Sequence, residues 1–185
     1  MASGYSVCVP HDQTLPLLWL LSDQRNDARL EAALAGLPRR SGFVFRHYHL
    51  ADALRRKRFD ALAALARARD HLVVLSGDAE LAAEWGADGV YGPPALLEKR
   101  TGLLRLATAH DAGEVAAANR CRADAVLISP VFATASHPDA KPLDPLRFRE
   151  LAAQAQMPVI ALGGMNVERA RDLDWPRWAA IDGFS

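Results

Sequence analysis

Eight short apolar runs recur along this 185-residue chain: LLWLLS (17–22), FVFRHYH (43–49), HLVVLS (71–76), DGVYG (88–92), GLLRLAT (102–108), AVLIS (125–129), PVIAL (158–162) and WAAI (178–181). Most are separated by longer, alanine-rich stretches with helical spacing, among them ARLEAALAGL, DALRRKRFDALAALARA, GEVAAANRCR and VERARDL. Short buried strands alternating with helices predict parallel βαβ units. Eight of them in sequence predict a closed (β/α)₈ TIM barrel, one domain over 1–185 with residues 1–16 as an N-terminal extension. A doubly wound open sheet uses the same grammar, and periodicity alone leaves the two open.

Local signals mark the element ends. Asp111 with Glu114 three residues on resembles a capping box after the fifth strand, and Asn166 stands where it can cap the helix after the seventh. Gly86 takes the place just past the third helix, where a left-handed residue commonly ends one. The sequence runs to Ser185 without a pattern for an eighth helix, so the barrel is expected to lack its last outer helix. That face is expected to be covered by the N-terminal segment or by a second copy in a homodimer.

Composition narrows the partners. Lys plus Arg (22) balance Asp plus Glu (22), and no basic block or basic-aromatic stripe is present, which argues against nucleic acid and membrane surfaces. Cys8 and Cys121 are too few and too far apart for a disulfide framework or a metal knuckle, so a reducing, cytoplasmic setting is the expectation. The N-terminal MASGYSVCVPHDQ has no secretory pattern, and no apolar run approaches the ~20 residues of a membrane span.

In a parallel barrel, ligands bind where strands end and βα loops begin. The residues there are Asp23, Arg46 to His49, Ser76, Tyr91, Thr108, His110, Ser129 to Lys141, Gly163, Gly164, Asn166 and Asp182. In ALGGMN two glycines follow a strand directly, an arrangement that fits a tight turn as well as a phosphate cradle of backbone N–H groups. The neighbouring loop adds Thr134, Ser136, His137 and Lys141, donors and positive charge suited to one anion shared between two loops. His110 beside Asp111 reads as a helix-start residue, His49 as a solvated loop residue, and Trp85, Trp175 and Trp178 as core or interface aromatics.

The segment TAHDAGEVAAANRCRADAVLISPVFATASHPDAKPL followed by PVIALGGMN resembles the thiamine-phosphate synthase and TenI-like family. Its members carry Gly-Pro-[Val/Ile]-[Phe/Tyr]-x-Thr-x-Thr-Lys and then Pro-Val-x-Ala-[Ile/Leu]-Gly-Gly. The resemblance implies a (β/α)₈ barrel. It also implies thiamine biosynthesis chemistry: synthases join a pyrimidine diphosphate to a thiazole phosphate with Mg²⁺ and release pyrophosphate, and TenI-like members are thiazole tautomerases. Carried over residue by residue, Thr108 takes the family's serine position, Thr134 and Ser136 match the Thr-x-Thr hydroxyls, and Gly163-Gly164 match the phosphate turn. The family lysine aligns with His137, with Lys141 four residues on, and either can supply the charge. Thr108, His137 and Lys141 are then the catalytic candidates; Arg46, Ser129, Thr134, Ser136, Gly163, Gly164 and Asp182 are the candidates for substrate and phosphate.

The departures fall on the other substrate. The diphosphate-gripping Gln-x-Arg-x-Lys is here Val44, Arg46 and Tyr48, and Gly77 and Ala95 stand where the family places its two Mg²⁺ carboxylates. Mg²⁺ is thus implied by the family while both ligand positions are lost, and no cofactor is otherwise implied. The expected partner is a small phosphorylated ligand, thiazole phosphate or pyrimidine phosphate. A tautomerase or a non-catalytic thiamine-related binding protein is the alternative; the tautomerase histidine beside the sixth strand end is here Pro130.

Overall fold

All eight apolar runs form strands, and the strands close on themselves. In the computed structural model, which describes residues 15–97, 102–134 and 141–184, these are β1 (Leu18–Leu21), β2 (Gly42–Phe45), β3 (Leu72–Ser76), β4 (Gly89–Gly92), β5 (Leu104–Ala109), β6 (Ala125–Ile128), β7 (Val159–Ala161) and β8 (Trp178–Ala180). Each pairs in parallel with the next, and β8 returns to β1 with Leu18 opposite Trp178, so the barrel is closed and the open-sheet alternative falls away. The outer ring holds α1 (Leu30–Gly36), α2 (Asp52–Arg67), α3 (Ala79–Glu84), α4 (Ala112–Cys121), α5 (Asp144–Ala152) and α6 (Val167–Leu173). After β4 the described residues hold only a 3₁₀ turn, Pro94–Leu96, and none follow β8 as a helix, so two outer positions lack one among the described residues. No helix among them is long and apolar enough to cross a membrane.

Period-two alternation sorts the strand residues into two cores. Trp19, Leu21, Val44, Val74, Tyr91, Leu106, Leu127, Ile160 and Ala179 point into the barrel. Leu20, Phe43, Phe45, Val73, Leu75, Val90, Ala107, Val126 and Ala161 point outward and meet the helices. Because both faces are buried, the runs are continuously apolar in sequence. Helix α2 meets the outer layer through Phe59, Leu62, Ala63 and Ala66, the i, i+3, i+4, i+7 stripe of an amphipathic helix. The helix starts read from sequence hold: Asp111 accepts from Glu114 N at 2.9 Å and Asn166 from Arg169 N at 2.8 Å. Gly86 follows α3 at φ +69°.

Trp19 is fully buried in the barrel, and Gly42 opposite it in register leaves the room its indole occupies: a Cβ there would stand 2.1 Å from the ring. At the outer gap after β8, Phe184 stacks on Trp178 with centroids 4.8 Å apart. Of the N-terminal extension only Leu15 and Pro16 are described, with Leu15 against the inner core and Pro16 O accepting from Trp19 Nε1 at 2.9 Å; the expected cover by residues 1–14 lies outside the described residues.

β2 ends at Phe45, earlier than the run FVFRHYH implies, and the chain turns through His47 at φ +40°. That left-handed conformation is costly for a residue with a Cβ, and buried hydrogen bonds hold it. His47 is 1% exposed, with Nδ1 2.7 Å from Ser22 Oγ and Nε2 2.7 Å from Asp27 Oδ1, so it is a buried structural residue. Ser22 Oγ accepts from Arg46 N at 2.8 Å, which leaves its own proton for Nδ1 of a neutral imidazole. The network therefore fixes the backbone of Arg46 at the barrel mouth.

Two outcomes follow from this packing. Gly42→Ala should cost about 3 kcal/mol of unfolding free energy in urea melts, because the new methyl has no room beside Trp19; an unchanged midpoint would contradict the packing. Burial lowers the His47 pKa and outweighs the opposing Asp27 carboxylate; His49 and Arg58 act in the same sense as burial. The unfolded chain then binds this proton more readily. The contribution is intact above the unfolded value of 6.5 and lost as pH falls below it. His71 shifts the same way, so stability should decline from pH 7 toward pH 5 in the wild type and decline less steeply in His47→Gln. That variant should also be about 1–3 kcal/mol weaker at pH 7 for the buried bonds it loses. Equal slopes for both proteins would exclude His47 as a source.

Candidate functional site

The strand C-termini open into a cavity of about 1270 Å³. Arg46, Thr108, Ser129, Thr134, Gly163, Gly164 and Asp182 all line it, although they come from five different strand ends. Lys141 is exposed and is not among the lining residues. Ser136 and His137 lie outside the described residues.

One wall is built where the β6 and β7 loops join. Val131 N donates to Leu162 O at 2.9 Å and Phe132 N to Gly163 O at 3.1 Å, continuing the strand pairing beyond the strands. Gly163 and Gly164 have φ of +94° and +63°, and a Cβ would stand 2.6 Å from Pro130 Cα at the first and 2.4 Å from Ala133 O at the second. Close approach of two backbones therefore requires both glycines whatever the cavity binds. Arg169 closes the arrangement from α6, donating Nη1 to Gly164 O at 2.5 Å with its guanidinium 5.2 Å over Phe132. Sequence reading passed over Arg169 because it lies inside a helix; its only signal is the place three residues after the capping Asn166. Thr108, Ser129 and Thr134 also line the cavity, adding hydroxyl-bearing residues to its surface.

The opposite wall, from β2 to β4, has a different character. Arg46 Nη2 pairs with Asp23 at 3.0 Å. Burial works to raise the Asp23 carboxyl, but hydrogen bonds and charge from Arg25 and then Arg46 prevail and hold it below the ordinary carboxylate value. Arg55, also unmarked in sequence because it belongs to α2, donates Nη2 to Ser76 O at 2.6 Å and Nε to Arg46 O at 3.1 Å. Its guanidinium lies 5.4 Å over Trp85 and 5.7 Å over Phe45, and Trp85 is a packed core residue behind this wall. Tyr48 hydrogen-bonds to Ser76 Oγ, which itself donates to Tyr91 O at 3.2 Å. Burial pushes the Tyr91 phenol up to about 12, keeping it protonated.

The acids at the mouth are committed to protein partners. Asp78 caps α3, accepting from Leu81 N at 2.7 Å. Asp182 pairs with Arg29 at 3.1 Å and lies 4.0 Å from Arg25, and Asp23 takes Arg46. His110 Nδ1 lies 2.8 Å from Glu114, consistent with a helix-start role, even though the ring borders the cavity.

A family model described as thiamine monophosphate synthase matches residues 18–175. Thiamine-phosphate synthase of Lysinibacillus sphaericus is 34% identical over 101 residues, 50% of this chain and 47% of that protein. The Staphylococcus saprophyticus thiamine-phosphate synthase is 29% identical over 131 residues, 65% of this chain and 60% of that protein. The matched segments span 22% to 61% of the curated relatives' own lengths. Among solved structures, thiamine phosphate pyrophosphorylase from Pyrococcus furiosus superposes with a TM-score of 0.74 at 24% identity, covering 89% of this chain and 84% of that one, and shares the fold. With a closed eight-stranded barrel and a model match running from its first strand to Trp175, this chain belongs to the thiamine monophosphate synthase family.

Proposed function

We propose that the protein binds thiazole phosphate, or a related phosphorylated ligand of thiamine biosynthesis, at the C-terminal mouth of the barrel, and that it has lost the standard synthase reaction. The observation that carries this reading is the unequal mouth. Thr108, Ser129 and Thr134 line the mouth together with the Gly163–Gly164 turn, while the β2–β4 wall offers an aromatic ring, Arg46 paired with Asp23 but with its Nε lacking a hydrogen-bond partner, and Arg55 tied to backbone carbonyls. A phosphate on the polar wall would be held by these hydroxyls and loop N–H groups. The N-terminus of α6 contributes little, because that helix has seven residues and Asn166 already caps it.

Coupling a pyrimidine diphosphate to a thiazole needs the diphosphate bound and its leaving charge neutralised, with the thiazole held in line. Mg²⁺ supplies the neutralisation in the family and is held by hard oxygen ligands. The residues here do not fit it. Gly77 and Ala95 line the cavity without carboxylates, Asp78 is engaged at α3, and the described residues contain no cluster of three His, Cys, Asp or Glu side chains able to hold a metal. On this reading Thr108 and Thr134 orient a ligand and do not promote departure of pyrophosphate.

The test supplies the purified protein with both synthase substrates and Mg²⁺ and follows pyrophosphate. Each lost electrostatic contact costs roughly two to three orders of magnitude, so turnover should lie at least about a thousandfold below 1 s⁻¹. Turnover of about 1 s⁻¹ or more would overturn the reading.

A further inference from the structure

We propose that Arg169 is a positioning residue of the phosphate site: without lining the cavity, it holds the Gly164 carbonyl outward and so presents the Met165 N–H to an anion at the mouth. The inference rests on the phosphate reading above and deepens it, adding a determinant of affinity that lies behind the site.

The carbonyls of the turn are taken by groups outside the cavity. Gly163 O accepts from Phe132 N at 3.1 Å, and Gly164 O accepts from Arg169 Nη1 at 2.5 Å. Gly163, Gly164 and Met165 line the cavity, whereas Phe132 and Arg169 do not. A trans peptide is planar, with its N–H opposed to the carbonyl of the same unit, and both peptides here are trans. The Gly164 N–H therefore points away from Phe132, and the Met165 N–H away from Arg169. No acceptor among the described residues takes either N–H. Buried backbone donors are almost always paired, and Met165 is 3% exposed, so its N–H is a donor held ready for an acceptor in the cavity.

Arg169 is itself fixed. Asn166 Oδ1 accepts from its backbone N–H at 2.8 Å, and its guanidinium lies 5.2 Å over the Phe132 ring. It forms no ion pair among the described residues, so no carboxylate there cancels its charge. A charged donor on the Gly164 carbonyl polarises that peptide and strengthens the N–H on its far side. The residues that line the cavity beyond β5, β6, β7 and β8 include no lysine or arginine, and Arg169 supplies positive charge from behind the turn. An anionic phosphate oxygen gains from the orientation and from the polarisation together.

Calorimetric titration of wild type, Arg169→Ala, Arg169→Met and Arg169→Lys with inorganic phosphate, alongside thermal melts, tests this. The Ala and Met variants should bind phosphate at least about tenfold more weakly than wild type, the loss expected for a hydrogen bond from a charged group. Arg169→Lys keeps a charged donor and should recover most of the affinity. Lys and Met both keep an unbranched stem over Phe132, so a role in packing alone would leave these two variants alike. The ratio of wild-type to Met affinity should also persist when KCl is raised from about 0.1 M to about 1 M, where the Debye length falls from roughly 10 Å to 3 Å, because a bond and not distant charge carries it. Equal affinity in wild type and Arg169→Met, Lys binding no better than Met, a ratio that vanishes at high salt, or unfolding of both the Ala and Met variants would each overturn the proposal. A wild type that takes no phosphate removes the function proposed above and this inference with it; a wild type that binds, with variants that bind equally well, removes only the role of Arg169.

Discussion

Eight short parallel strands can close only if their inward side chains fill the interior at the density of a packed core, and here the largest of them sets the terms. Trp19 occupies the space that Gly42 leaves vacant, and Gly89 permits a close backbone approach of β4 to β5, where a would-be Cβ would stand 2.6 Å from Leu104 O. With the interior full, the strand ends are fixed relative to one another, and the residues beyond them inherit that rigidity. Arg46, Thr108, Ser129 and Gly163 are far apart in sequence and share one cavity for this reason.

The mouth so formed is divided by chemistry. On the β6–β7 side two loops continue the sheet's hydrogen bonding past its edge, and Arg169 fastens them from outside. On the β2–β4 side a buried chain of contacts from Asp27 through His47 and Ser22 sets the Arg46 backbone, while Arg55 ties α2 to the same turn. The guanidiniums of the second wall meet carbonyls, aromatic faces and Asp23, while Arg46 Nε stays buried without a hydrogen-bond partner. Tyr48, Pro93 and Leu96 line the cavity there beside Arg46, Arg55 and Asp78.

Much of this was legible in the chain. Strands buried on both faces announce themselves as unbroken apolar runs, and Asp111, Asn166 and Gly86 mark helix ends through chemistry that acts within a few residues. Two kinds of information were not local. FVFRHYH continues the pattern of a strand past Phe45, but buried partners at Ser22 and Asp27 turn the chain at His47, and neither is visible from the run itself. Likewise, the GG pair could not be assigned from sequence, because its steric demand comes from Pro130 and Ala133 on the neighbouring loop. Arg55 and Arg169 were missed since helix residues carry no mark of which loop their long side chains will reach. The family segment was legible through its spacing, and the family model matches residues 18–175.

The central claim is that a single phosphate group seats between the β6 loop and the Gly163–Gly164 turn. Amide-resolved NMR of the ¹⁵N-labelled protein titrated with inorganic phosphate addresses it directly, since a bound anion shifts the N–H groups that face it. The account predicts saturable shifts largest at Gly163, Gly164 and Thr134, with Tyr48 and Ser76 little changed. Shifts centred on Arg46, Arg55 and Ser76, or none at the glycine turn at saturating phosphate, would contradict it.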